Sequence, residues 1–208
     1  MTKPAIMRAP HHSCSMWFTS TIVFFSFILI FGCSPLAAET PLSPNKGRFL
    51  VATEQLNDTS FQQAVILITH LSERGATGLT INRPTDIPLS KIFPHTQQFK
   101  TTDDSLYLGG PVSTNAIFVL LRTRQPNQNM HHIAKNIYFS TADNAFSNPF
   151  HESTRVYAGY TGWHPGQLQI EIDRGDWILV HQEPDIIFEK NPHDLWQRLL
   201  KRWSGLWI

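Results

Sequence analysis

Trp163-His164-Pro165-Gly166-Gln167 is the segment of this chain best equipped for chemistry. A Pro-Gly turn that feeds a helix presents free backbone N–H groups, and these attract anions. Tyr160 and Trp163 could wall a pocket, and His164 supplies an imidazole, the side chain that changes charge near neutral pH. Glu171 and Asp173 follow, with Glu171 one helical turn beyond Gln167. Either of them, or His164, could act as a general acid or base toward a substrate held within hydrogen-bond reach. The same residues also have an architectural reading, in which Trp fills the core, Gly permits the turn and Gln bonds backbone. Two other loops carry candidate ligand contacts. Gly109-Gly110-Pro111 could bring backbone N–H groups close to an anion or, equally, to a neighbouring strand. Asn82-Arg83-Pro84 offers Arg83 as a partner for a carboxylate or phosphate, or as a solvated surface charge.

Other chemistries are poorly supported. There is no phosphate loop, nucleophile elbow or HExxH pattern. The chain has ten histidines, but His11 and His12 fall in the first segment, and His131-His132 would point to opposite faces of a strand. His70, His95, His151, His164, His181 and His193 lack the short spacings of a zinc site, so neither a metal nor another cofactor is expected. The two cysteines, Cys14 and Cys33, lie before residue 34, so the rest of the chain has no disulfide and no thiol nucleophile.

The elements that must position these residues are short. Apolar runs at 48–52, 64–69, 77–82, 105–108, 116–121, 155–158 and 177–181, bounded by turn residues, predict strands. Pro165 opens a predicted helix in which Leu168 and Ile172 share a face and Gly175 ends the last turn. A second helix is predicted from Pro192, with Asn191 as N-cap and a core stripe of Trp196, Leu199, Leu200 and Trp203. A short third one is expected over 88–93. Many strands with few helices, not in regular alternation, predict an α+β fold, a single compact domain with a strongly bent mixed or barrel-like sheet.

The N-terminal segment has a different character. It holds Lys3 and Arg8 but no acid before Glu39, and residues 17–32 are uncharged and strongly apolar. This pattern fits an export signal, and the run is shorter than the roughly 20 residues that span a bilayer. Ile30-Phe31-Gly32-Cys33 is similar to a lipobox, which would make Cys33 a lipidation site. Cleavage near Leu36-Ala37-Ala38 and an uncleaved anchor are the alternatives. The expected organisation is a leader over 1–33, a Pro/Ser-rich tether over 34–46 and a domain over 47–208. From Ser34 onward the charges are 15 basic (17 in all, less Lys3 and Arg8) against 16 acidic. No basic surplus remains, so no nucleic-acid partner is expected.

Residues 156–179, VYAGYTGWHPGQLQIEIDRGDWIL, together with GRFLVATEQLNDTSFQQAVILITH, ATGLTINRPTDIPLSKIF and SLYLGGPVSTNAIFVL, resemble the YqgE/AlgH family. The resemblance covers residues 47–203 and includes Gly159, Tyr160, Gly162, Trp163, Gly166, Gln167, Leu168, Glu171 and Trp177. It implies a compact mixed α+β fold with a bent sheet, and no established activity. Members have been labelled transcriptional regulators, without a recognisable DNA-binding motif. The leader departs from the family pattern, whose members usually look cytosolic, and His164 stands where a small residue is common.

Two functions follow as expectations. The first is a non-enzymatic binding or regulatory module at the cell envelope, facing the periplasm, with a protein or small-molecule partner. Its candidate ligand contacts are Asn82, Arg83, Gly109, Gly110, Tyr160, Trp163, His164 and Gln167. The second is an enzyme of weak signature using the acid–base residues Glu171, Asp173 or His164 beside the Gly-Gly-Pro turn. Should the leader go unused, a cytosolic regulator is the alternative. A purely structural interaction domain, with Trp203 or Trp207 in a contact patch, is a further possibility.

Overall fold

Phe49–Ala52 (β1) and the first half of Val65–Ser72 (β2) are apolar without alternation because both of their faces are covered. Phe49, Val51, Val65 and Leu67 enter one core cluster, while Leu50, Ala52, Ile66 and Ile68 enter another. The structure, a computed structural model, describes residues 42–147, 151–181 and 183–204. The expected leader, Cys33 and Trp207 lie outside the described residues.

The other strands are Gly75–Thr80 (β3), Pro84–Pro88 (β4), Ser105–Leu108 (β5), Val112–Arg122 (β6), His131–Ala134 (β7), Ile137–Thr141 (β8), Ser153–Trp163 (β9) and Trp177–Val180 (β10). They form one mixed sheet of ten strands in the order β10-β1-β2-β3-β9-β6-β8-β7, with β4 and β5 branching off. Among the described residues β10 and β7 do not pair with each other, so the sheet stays open. The pairing is antiparallel throughout except between β5 and β9. Bulges in β2 between Ile68 and His70, and in β6 between Val112 and Ile117, help it bend. The fold is the α+β class expected from the sequence, with a bent mixed sheet.

Strand β9 joins the two halves. Residues Thr161, Gly162 and Trp163 pair with β3, whereas Ser153 to Tyr160 pair with β6, and Tyr157 and Ala158 also pair with β5. Among the described residues the four α-helices are Leu89–Ile92 (α1), Ala142–Ala145 (α2), Gln167–Asp173 (α3) and Leu195–Ser204 (α4). Helix α4 covers the first cluster with Leu195, Trp196 and Leu199, and Leu200 and Trp203 pack beside it. The Trp196 indole N–H donates to the Ala52 carbonyl at 2.7 Å. Helix α3 covers the second cluster through Leu168. A third cluster, around Leu89, Phe99, Met130, Ala145 and Val156, lies under α1 and α2.

Some boundaries differ from expectation. Helix α3 begins at Gln167 rather than Pro165, because Gly166 sits at φ 76° and cannot be the first helical residue. Its C-terminus behaves as read. Gly175 (φ 87°) donates to the Ile172 carbonyl, and Asp176 donates to that of Glu171, a Schellman pair. Helix α4 starts at Leu195, three residues after Pro192, and the Asn191 side chain accepts the His193 N–H at 3.4 Å before the first turn. The chain also takes hold of the sheet before residue 47. Leu42 packs on the second cluster, and Gly47 N–H donates to the Ile68 carbonyl at 2.8 Å.

Candidate functional site

The turn between β9 and α3 is built around one carboxylate. Glu171 Oε2 accepts the indole N–H of Trp163 at 2.8 Å and that of Trp177 at 2.8 Å. Its Oε1 accepts from Gln167 Nε2 at 2.8 Å. Gln167 Oε1 in turn accepts the backbone N–H of His164 at 2.9 Å, so this side chain spans the turn and the first coil of the helix. The two indoles meet edge to face with centroids 6.2 Å apart, and both are buried. A charge-assisted acceptor for two buried donors ties the end of β9, the body of α3 and the start of β10 together.

This arrangement bears on the acid–base candidates. Both oxygens of Glu171 are engaged, and Asp173 Oδ1 accepts from Gln169 Nε2 at 2.7 Å. Glu171 and Gln167 line a cavity of about 460 Å³ with Asp58, Arg174 and Trp177. His164 lines a different one. The three groups are not gathered around a common substrate position, which is the first geometric requirement for such catalysis.

The cavity at His164 is a concavity of about 350 Å³. Tyr160 and Trp163 form its aromatic side, with Tyr160 edge-on to Phe118 at 5.8 Å. His70 and Arg74, from the β2–β3 hairpin, line it as well. Its lining holds one arginine and two histidines and no carboxylate. The hairpin approaches this closely because residue 75 is glycine, at φ 124°, where a Cβ would fall 2.3 Å from the Trp163 carbonyl oxygen. The structure therefore brings three of the expected contacts, Tyr160, Trp163 and His164, to one surface.

The remaining candidates lie elsewhere. Asn82 Oδ1 accepts the Val65 N–H at 2.9 Å, and its Nδ2 donates to the Gln63 carbonyl at 2.8 Å. Gln63 has φ 57°, so this amide braces a backbone turned the unfavourable way for a side-chain-bearing residue. Arg83 donates to the carbonyls of Ser60 and Gln62, and burial lowers its pKa from the ordinary value against the opposing pull of Asp58. Gly109 and Gly110 face a strand. A Cβ on Gly109 would fall 2.3 Å from the Gly159 carbonyl oxygen, and one on Gly110 would fall 2.3 Å from the Tyr160 carbonyl carbon. Close approach to a neighbouring strand is therefore one reason for glycine at both positions of this turn. Among the described residues no three His, Cys, Asp or Glu side chains are grouped to hold a metal.

A family model described as AlgH-like matches residues 49–207. The chain belongs to the AlgH-like family. A UPF0301 protein of Streptomyces coelicolor is 31% identical over 178 residues, which is 82% of this chain and 92% of that protein. One from Cytophaga hutchinsonii is 29% identical over 167 residues, 77% of this chain and 90% of the relative. The crystal structure of a Corynebacterium diphtheriae protein matches with a TM-score of 0.66 at 26% identity, over 78% of this chain and 89% of that one. The solution structure of AlgH from Pseudomonas aeruginosa matches with a TM-score of 0.62 at 27% identity, over 79% and 92%. In this AlgH-like chain Trp163, Gln167, Glu171 and Trp177, which carried the resemblance, are the members of the indole–carboxylate lock. What sequence reasoning missed is that Glu171 is their common acceptor. The signal was present as a carboxylate four residues after a glutamine and between two tryptophans.

Proposed function

We propose that this AlgH-like chain is a non-enzymatic binding or regulatory module of the cell envelope, facing the periplasm. The observation that supports binding is the concavity of Tyr160, Trp163 and His164, lined also by His70 and Arg74. An aromatic wall beside cationic and titratable groups, with no acid in the lining, suits a partner that presents a carboxylate next to an apolar group. That partner is a protein segment or a small molecule. The near-balanced charge after Ser34 argues against nucleic acid. The envelope part of the proposal rests on the leader, with Cys33 as its lipid attachment point and the membrane as its second contact. No helix among the described residues is long and apolar enough to cross a membrane.

His164 is exposed, so His164→Glu reverses the character of the concavity without disturbing the core. Full-length protein and this variant, each used to capture partners from solubilised envelope, should differ by one component that only the unaltered chain retains. Identical capture by both would remove this surface from consideration. Recovery of the intact, unprocessed chain from the cytoplasm would instead remove the envelope assignment and leave the surface standing.

A further inference from the structure

A cavity of about 720 Å³ shares no lining residue with the indole–carboxylate lock or with the concavity at His164. Its volume is in the range of small-molecule sites, about 300 to 1,000 Å³. Arg155 of β9 is part of its wall and is only 8% exposed. A guanidinium cannot shed its charge at any ordinary pH, so burying one calls for a counter-charge. No carboxylate of the described residues forms an ion pair with it, and the cavity's own acids, Asp103 and Asp104, are not bonded to it. Nη2 donates to the main-chain carbonyl of Glu189 at 2.6 Å, and Cζ lies 4.4 Å from the centroid of the Tyr107 ring. The Glu189 carboxylate is paired with Arg198 instead. Nη1 is buried and has no partner.

The surroundings favour an anion with a polar body. Lys190 adds positive charge and His193 a further ring nitrogen to the cavity wall, and both are exposed. Hydroxyls of Thr101, Ser105 and Thr154 line it as well. Asp103 and Asp104 also line it, and they can accept hydrogen bonds from a ligand's own hydroxyls. Tyr107 and Phe188 provide flat apolar faces, with Tyr107 already stacked under the guanidinium.

We infer that this cavity is a binding site for a small hydroxylated organic anion, whose carboxylate or phosphate meets the guanidinium of Arg155. The anion's head group completes the fork left open at Nη1, the guanidinium pivoting toward it, and its body lies along the hydroxyl-bearing wall. Planar, two-point recognition of an oxyanion is the use for which arginine is better suited than lysine. This site shares no lining residue with the concavity at His164, so either can stand without the other.

Isothermal titration calorimetry of the full-length chain in detergent tests it, with glucose 6-phosphate and citrate as probes and glucose as the neutral control. At least one anion should bind and glucose should not, and whichever anion binds identifies the head group. Arg155→Gln, checked for folding by near-UV circular dichroism, should weaken that binding by at least about tenfold. Lys190→Glu, an exposed change, should weaken it by about threefold. Absence of binding by both anions overturns the inference. So does a folded Arg155→Gln variant that binds as the unaltered chain does. If Arg155→Gln fails to fold, unchanged affinity in Lys190→Glu overturns it instead.

Discussion

Replacing Glu171 with alanine removes one carboxylate and orphans three donors, two of them buried indoles. Hydrogen bonds to a charged partner contribute about 1.5–3 kcal/mol each when one side is deleted and the other left unsatisfied. Gln167 Nε2 is close enough to solvent to find water, so the loss comes from Trp163 and Trp177. Glu171 is itself only partly buried, which places each bond at the low end of the range and the total at about 3 kcal/mol. For a domain of this size that is a fall in Tm of about 6–12 °C. Glu171→Gln should lose roughly half as much, since it retains a carbonyl for the indoles but turns an amide N–H₂ toward Gln167. Urea unfolding followed by tryptophan fluorescence measures all of this. The lock also predicts coupling. Trp177→Phe should be less harmful in the Glu171→Ala background than alone, by about 1–2 kcal/mol, because the indole has already lost its acceptor. If Glu171→Ala lies within about 1 kcal/mol of the unaltered protein, the carboxylate does not hold this corner together and the reasoning fails.

Asn82→Ala should destabilise by about 2 kcal/mol, since it strips acceptor and donor from Val65 and Gln63 at once, and chemical denaturation will report it. A loss of partner capture without any loss of stability would instead return Asn82 to the list of ligand contacts. Tyr157→Phe should raise stability by about 1 kcal/mol, because the Tyr157 hydroxyl is buried with no partner. It should also flatten the alkaline limb of the stability curve. Burial raises the Tyr157 pKa above its ordinary 10.0, with Arg155 pulling the other way. The folded phenol therefore stays neutral where the unfolded one ionises, so its contribution is intact below about pH 10 and lost as the pH climbs past that point. Thermal melts at pH 8 to 11 on the two proteins, showing parallel curves, would contradict this.

What could be read in advance divides along physical lines. The continuous runs in β1 and β2 were legible because strands covered on both faces leave no polar gaps in the pattern. β4, β7 and β8 were not anticipated as strands. β4 begins and ends in proline and has no buried residue, and His131 and His132 at the start of β7 are exposed. β7 and β8 bury only a few residues, Ile133, Ala134, Ile137 and Ser140, so their apolar runs are too short to stand out, and pairing leaves little trace in one sequence. The α3 C-terminus was readable because a Schellman turn needs glycine at a fixed place, while its start was set by Gly166 rather than by the proline beside it. The Trp163 turn was rightly singled out, but its two readings differ only in where the indole N–H points, which depends on Trp177 and Glu171. Arg155 drew no attention, although a lone charge at the head of the run Val156 to Gly159 is the trace that a buried guanidinium leaves.

Because one strand serves both halves of the sheet, the order in which this chain leaves the ribosome matters. Until Ser153–Trp163 has emerged, β3 and β6 each lack their shared neighbour, and β1 waits longer still for Trp177–Val180. Long-range pairings of this kind form slowly and only once both members are present. The sheet as a whole is therefore complete only after β10 has joined β1, however early the local hairpins form.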